Sequence, residues 1–124
     1  MAAPEPILYC LTRDRELATG IEERLSGALP FFYNDAARLH QAIMLRGPDI
    51  VVIDTGAIRP EYGDAGLAPV VAFVRQRTTT ARVAVRPAPG AERLVAAEAG
   101  PGSEILPAER AECVAAIARL CGCP

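Results

Sequence analysis

A chain of 124 residues, 51% hydrophobic and 23% charged, has the length and balance of one globular domain and not the composition of a disordered chain. Its 13 basic residues are all arginine, against 15 acids and one histidine, giving a net charge of −2. The absence of lysine excludes Schiff-base chemistry and a Gly-Lys-Ser/Thr phosphate loop, the single histidine excludes a two-Cys, two-His zinc site, and the acidic balance argues against nucleic acid as the main partner.

Ile7, Leu8, Tyr9, Cys10 and Leu11 make a continuous apolar run, the pattern of a strand buried on both faces. Thr12 or Asp14 is placed to cap the helix that follows. In it Leu17, Ile21 and Leu25 recur at i, i+4 and i+8, with Ala18 beside them, and Gly27 ends the pattern. Leu29, Pro30, Phe31, Phe32 and Tyr33 form a second strand. Pro30 has no amide donor, which places it at a strand start or on a sheet edge. Asn34 or Asp35 caps the second helix, whose core side is Ala36, Leu39, Ile43 and Met44, with Gly47 and Pro48 as its stop. His40 adjoins that face and reads as a boundary residue rather than a catalytic one.

Residues 49–54, with Ile50, Val51, Val52 and Ile53 between Asp49 and Asp54, are the strongest strand signal in the chain. The twelve residues 55–66 then read as a loop, long enough in a compact domain to be functional or mobile, with Ile58, Tyr62 and Leu67 as candidate partner contacts. A third helix starts at about Leu67, with Pro69 in its first turn and Val70, Val71, Phe73 and Val74 on its apolar face. A strand over residues 81–86, a short helix over 91–99, a brief strand over 103–106 and a last helix over 108–120 follow. The last helix buries Val114, Ile117, Ala118 and Cys121. Cys10 and Cys113 fit as small core residues; for Cys121 the helical stripe implies burial, while its place in the terminal Cys121-Gly122-Cys123 run offers the alternative of exposed thiols at a frayed end, which is the reading for Cys123.

Five βα units in succession imply a parallel sheet with helices on both faces: a flavodoxin-like (βα)5 doubly wound α/β fold with strand order 2-1-3-4-5. Functional groups in such sheets gather at the carboxyl ends of the strands. Here those ends are Thr12, Arg13 and Asp14; Asp54 and Thr55; Arg86 and Pro87; and Leu106 and Pro107.

With these positions in place, the chain resembles the receiver domain of bacterial two-component response regulators. The resemblance rests on the five βα units, on the run Gly47-Pro48-Asp49-Ile50-Val51-Val52-Ile53-Asp54, and on Asp14-Arg15-Glu16-Leu17 opening the first helix. It covers about residues 6–121, so that residues 1–124 are expected to form a single receiver-like domain, open to being the N-terminal domain of a longer protein. The resemblance places Asp54 at the position that accepts a phosphoryl group. It also implies departures. An acidic pair that holds Mg²⁺ is replaced by Thr12 and Arg13, with Asp14 one residue on. The hydroxyl residue after the fourth strand is replaced by Arg86, and the lysine that clasps the phosphoryl group by Pro107.

The implied protein is a degenerate receiver, or pseudo-receiver: not an enzyme, cytoplasmic, with no cofactor, in which Asp54 forms an ion pair with Arg13 or Arg86. It would act through a protein partner or a homodimer at the face made by helix four, strand five and helix five, where Arg93, Glu98, Glu104, Glu109, Arg110, Glu112 and Arg119 lie, or through a linked output domain. The alternative is a receiver phosphorylated on Asp54 by a histidine kinase, with Asp14 and Asp54 holding Mg²⁺. Direct nucleic-acid binding and membrane insertion are not expected: there is no apolar run of 18 residues and no secretory signal at the N-terminus. A nucleotide-binding or flavodoxin-like enzyme would need a phosphate cradle. Its only candidates, the stretches 63–66 and 100–102, do not sit between a strand and a helix in the G-x-G-x-x-G pattern.

Overall fold

The structure is a computed structural model and describes residues 4–59 and 66–123. The elements are β1 (Ile7–Leu11), α1 (Arg15–Arg24), β2 (Leu29–Tyr33), α2 (Ala36–Leu45), β3 (Ile50–Asp54), α3 (Leu67–Arg77), β4 (Arg82–Arg86), α4 (Glu92–Ala99), β5 (Glu104–Ile105) and α5 (Arg110–Leu120). A single 3-10 turn, Thr55–Ala57, follows β3. The strands form one parallel sheet in the order β2-β1-β3-β4-β5, as the alternation of strand and helix patterns predicts.

Side chains alternate across each strand, which divides the core into two layers. Leu8 and Cys10 of β1 and Ile50 and Val52 of β3 pack with Leu17 and Ile21 of α1 and Cys113 and Ile117 of α5. Tyr9, Leu11, Val51 and Ile53 face the other way, against Leu39 of α2, Val70, Val71 and Val74 of α3, and Val95 of α4. Asp54 continues the even-numbered set of β3. It therefore emerges at the carboxyl edge on the α1–α5 side, in the same alternation that fully buries Val52.

The helix starts are local. Asp14 accepts the Leu17 N–H at 3.1 Å, Asp35 the Arg38 N–H at 2.8 Å and Glu109 the Glu112 N–H at 2.6 Å, each an N-cap that satisfies an amide with no intrahelical acceptor. Pro69 lies in the first turn of α3, where the missing N–H has no cost. β2 is an edge strand. Leu29 N–H donates to the Pro6 carbonyl, and Thr12 N–H donates to the Tyr33 carbonyl. The odd-numbered residues of β2 thus turn their backbone groups toward β1, and Pro30 turns its donor-less nitrogen toward the open edge, which blunts strand addition there.

Four expectations are corrected. Met44 is exposed, because α2 presents Leu39 and Ile43 to the sheet and ends at Leu45. Leu67 is a buried residue of α3 and not a loop contact, while Ile58 packs partly buried on the same layer; Tyr62 and residues 63–65 of the glycine-rich stretch lie outside the described residues. Cys113 takes the inward place on α5, and Cys121 is only half buried. Cys123 is buried rather than frayed. Gly122, at φ +74°, turns the chain back so that Cys123 N–H donates to the Ala118 carbonyl at 2.8 Å, a helix-end motif that needs the left-handed residue glycine supplies. Gly100, at φ +79°, closes α4 in the helix-end role expected of it. His40 stacks on Phe73 of α3 with ring centroids 4.0 Å apart, a boundary position between α2 and α3.

Candidate functional site

The carboxyl ends of β1, β3 and β4 and the segment leading into α5 converge on a cleft of about 350 Å³, lined by Arg13, Asp14, Asp54, Arg86, Pro87 and Ala108 among others. Asp54 is buried at its base. The Thr12 hydroxyl donates to Asp54 Oδ2 at 2.7 Å, and the Gly56 N–H donates to Asp54 Oδ1 at 3.3 Å. Thr12 Oγ1 in turn accepts the Asp14 N–H at 3.0 Å, so the loop after β1 is folded over the carboxylate by a hydroxyl that both donates and accepts.

Arg86 lies across this group. Its Nη1 is 3.0 Å from Asp14 Oδ2 and 3.5 Å from Asp54 Oδ2, and its Nε donates to the Ala108 carbonyl at 3.0 Å. Its own carbonyl accepts the Thr55 hydroxyl at 3.0 Å. Only 14% of the Arg86 side chain is exposed, with 11% of Asp54 and 20% of Asp14. Of the two arginines proposed for Asp54, Arg86 makes the ion pair; Arg13 is exposed at the mouth of the cleft. Planar guanidinium chemistry suits the place, because one group bridges two carboxylates and a carbonyl without deprotonating.

Asp14 has a second cation. Arg110 Nε lies 3.0 Å from Asp14 Oδ2, and Arg110 Nη1 lies 2.9 Å from Glu16 Oε2. Arg110 therefore faces α1, away from the α4 side with which the sequence grouped it. Burial raises the Asp14 pKa, but hydrogen bonds from Arg110, the Leu17 N–H and Arg86 outweigh it and hold the carboxyl at about 2. Beneath the site, burial pushes the Cys10 thiol far up and Cys113 up to about 11, so both are inert core thiols in this environment. The place where the resemblance puts a lysine is backbone. Leu106 N–H donates to the Val85 carbonyl at 2.8 Å, and half-buried Pro107 leads into Ala108.

Thr12, Asp14, Asp54 and Arg86 are thus brought together at the strand ends, with Ala108 joining them through its carbonyl, while Pro107 lies beside Leu106 and Glu104 in a separate cleft. Arg110 and the Ala108 carbonyl were not foreseen. Asp14 and Arg110 are 96 residues apart, and no motif links them. Among the described residues no group of three or more His, Cys, Asp or Glu side chains is placed to hold a metal, and no helix is long and apolar enough to cross a membrane.

The chain is similar to the crystal structure of a two-component response regulator of the LuxR family from Aurantimonas sp. SI85-9A1, with a TM-score of 0.65 and 26% sequence identity, covering 94% of this chain and 84% of that one. The fold is that of a response-regulator receiver domain. No protein-family model and no curated protein matches the chain. On the receiver fold, Asp54 at the end of β3 occupies the carboxyl edge beside the crossover between β1 and β3, with Arg86 of the neighbouring strand directly across from it in register.

Proposed function

We propose that this receiver-like chain is a non-enzymatic regulatory module of a signal-transduction protein, and that it works without phosphotransfer. The observation that carries this is Arg86, whose Nη1 stands 3.0 Å from Asp14 Oδ2 and 3.5 Å from Asp54 Oδ2. Phosphoryl transfer to a carboxylate needs positive charge on the transferred oxygens, and Mg²⁺ supplies it where hard oxygen ligands allow octahedral geometry. The residues here do not fit that ion. Two carboxylates converge, and the Oδ2 atoms that would face it are engaged by Arg86, by Arg110 and by the Thr12 hydroxyl. Arg86 provides a permanent cation in its place, fixed to β4 and to the Ala108 carbonyl.

A site locked in this way leaves signalling to surfaces. The α4–β5–α5 face exposes Arg93, Glu98, Glu112 and Arg119, opposite charges suited to a protein partner, a second copy or a linked output domain. Incubating the chain with acetyl phosphate and Mg²⁺ and weighing it intact tests the proposal. No phosphoryl adduct is expected. A stable gain of one phosphoryl group that disappears in Asp54→Ala would establish the alternative, a phosphorylatable receiver using Asp14 and Asp54.

A further inference from the structure

On the other flank of β1, the carboxyl ends of β1 and β2, the start of α1 and one side of α2 along its length bound an open cleft of about 980 Å³. Arginine is the commonest charged residue in its described lining. Arg13, Arg15 and Arg38 line it, with Asp14 as the only carboxylate among its described lining residues, whereas the whole chain carries −2. That carboxylate is already offset by Arg86 and Arg110, each 3.0 Å from its Oδ2. Arg38 touches Asp35 through Nε at 3.4 Å, one donor of the five a guanidinium offers.

The remaining wall is not uniformly polar. Tyr33 is half buried, and Leu45, the last residue of α2, is 89% exposed. Arg38 and Leu45 stand at i and i+7 on α2, so one helix face presents a guanidinium at one end of the cleft and an aliphatic surface at the other. A cavity of this size suits a whole small ligand and far exceeds a lone inorganic anion. Guanidinium groups recognise phosphate by paired, charge-assisted hydrogen bonds, and an aromatic and aliphatic wall accepts a flat apolar body.

The geometry points to a binding site for a small organic phosphate of nucleotide size, with the phosphate on Arg15 and Arg38 and the body against Tyr33 and Leu45. The site does not depend on whether Asp54 accepts a phosphoryl group. It shares only its inner wall, Arg13 and Asp14, with the Asp54 cleft. Occupancy would therefore press on the loop that holds Asp54, and a ligand could stand where phosphorylation stands in other receivers.

The test is an amide ¹H–¹⁵N titration of the full chain with AMP, with adenosine and with inorganic phosphate. AMP is expected to give saturable shifts at the amides of Arg13, Arg15, Asn34 and Arg38, and adenosine none. The variant carrying Arg15→Ala and Arg38→Ala, both exposed positions whose loss leaves the core intact, is expected to bind AMP at least about tenfold more weakly. Three results would overturn the proposal: no saturable shift at these amides up to about 10 mM AMP, unchanged affinity in the double variant, or inorganic phosphate binding as tightly as AMP, which would reduce the cleft to a simple anion trap.

Discussion

The two ends of β4 carry the same side chain in opposite settings. Arg82 enters the strand with 55% of its side chain exposed and pairs with Glu104 of β5, itself 44% exposed. Arg86 leaves the strand 14% exposed and holds two carboxylates and a backbone carbonyl. The first pair is held in water, where attraction is screened and the ordering of two long side chains offsets most of the gain. The second is withdrawn from water, where removing one partner strands the others. The contrast teaches that a guanidinium at a strand end is a surface ornament at one edge of this sheet and a structural element at the other. What decides is the depth of the acids it meets.

The comparison breaks most visibly at Arg86. Arg86→Ala leaves Asp14 and Asp54 facing each other with their common cation gone, and is expected to lower the unfolding free energy by about 3 kcal/mol in a urea titration. Thr12→Val keeps the shape of the side chain and removes the 2.7 Å hydrogen bond to Asp54 Oδ2. The cost expected in the same titration is about 1–2 kcal/mol, because a charged acceptor loses a buried donor.

A pH series sharpens the same contrast. The Asp14 carboxyl is held at about 2, below its ordinary 3.8, so it is a depressed acid. Its contribution to stability is fully present above pH 4 and is lost as pH falls from about 4 through 2. Asp14→Asn should remove that part of the acid dependence while leaving the slope above pH 5 unchanged, as read by thermal unfolding across the series. At the other end of the strand, Arg82→Ala should change stability by less than about 1 kcal/mol, and half-molar salt should mask even that. If Arg82→Ala were as costly as Arg86→Ala, depth would not be the deciding variable.

Much of the fold was legible because it is written locally. The apolar runs of β1 and β3, the capping acids Asp14 and Asp35 and the helix-ending Gly100 each act within a few residues, and together they imply the parallel order. Pro30 limits its strand to a start or an edge for the same reason, and β2 is the edge strand. What escaped has a longer reach. Asp14 could be read as a cap, but its bonds to Arg86 and Arg110 span 72 and 96 residues and exist only once β4 and α5 are packed. Cys123 looked like a loose end, because its burial depends on the reversal at Gly122 and on space beside α1 that no short pattern encodes. The strand ends implied that Asp54 and Arg86 would lie in one cleft, and the two do line the same one. The choice of Arg86 over Arg13 required the register of β3 against β4, which sets Asp54 and Arg86 side by side.

The central claim is that Arg86 stands where a receiver would otherwise place a divalent cation. Mg²⁺ titration of the unmodified chain, followed at the amides of Asp14 and Asp54, addresses it directly. No saturable shift is predicted at either amide up to about 10 mM Mg²⁺, since a hard cation would have to displace a bonded guanidinium. Saturable shifts at both amides at low millimolar Mg²⁺ would contradict the account.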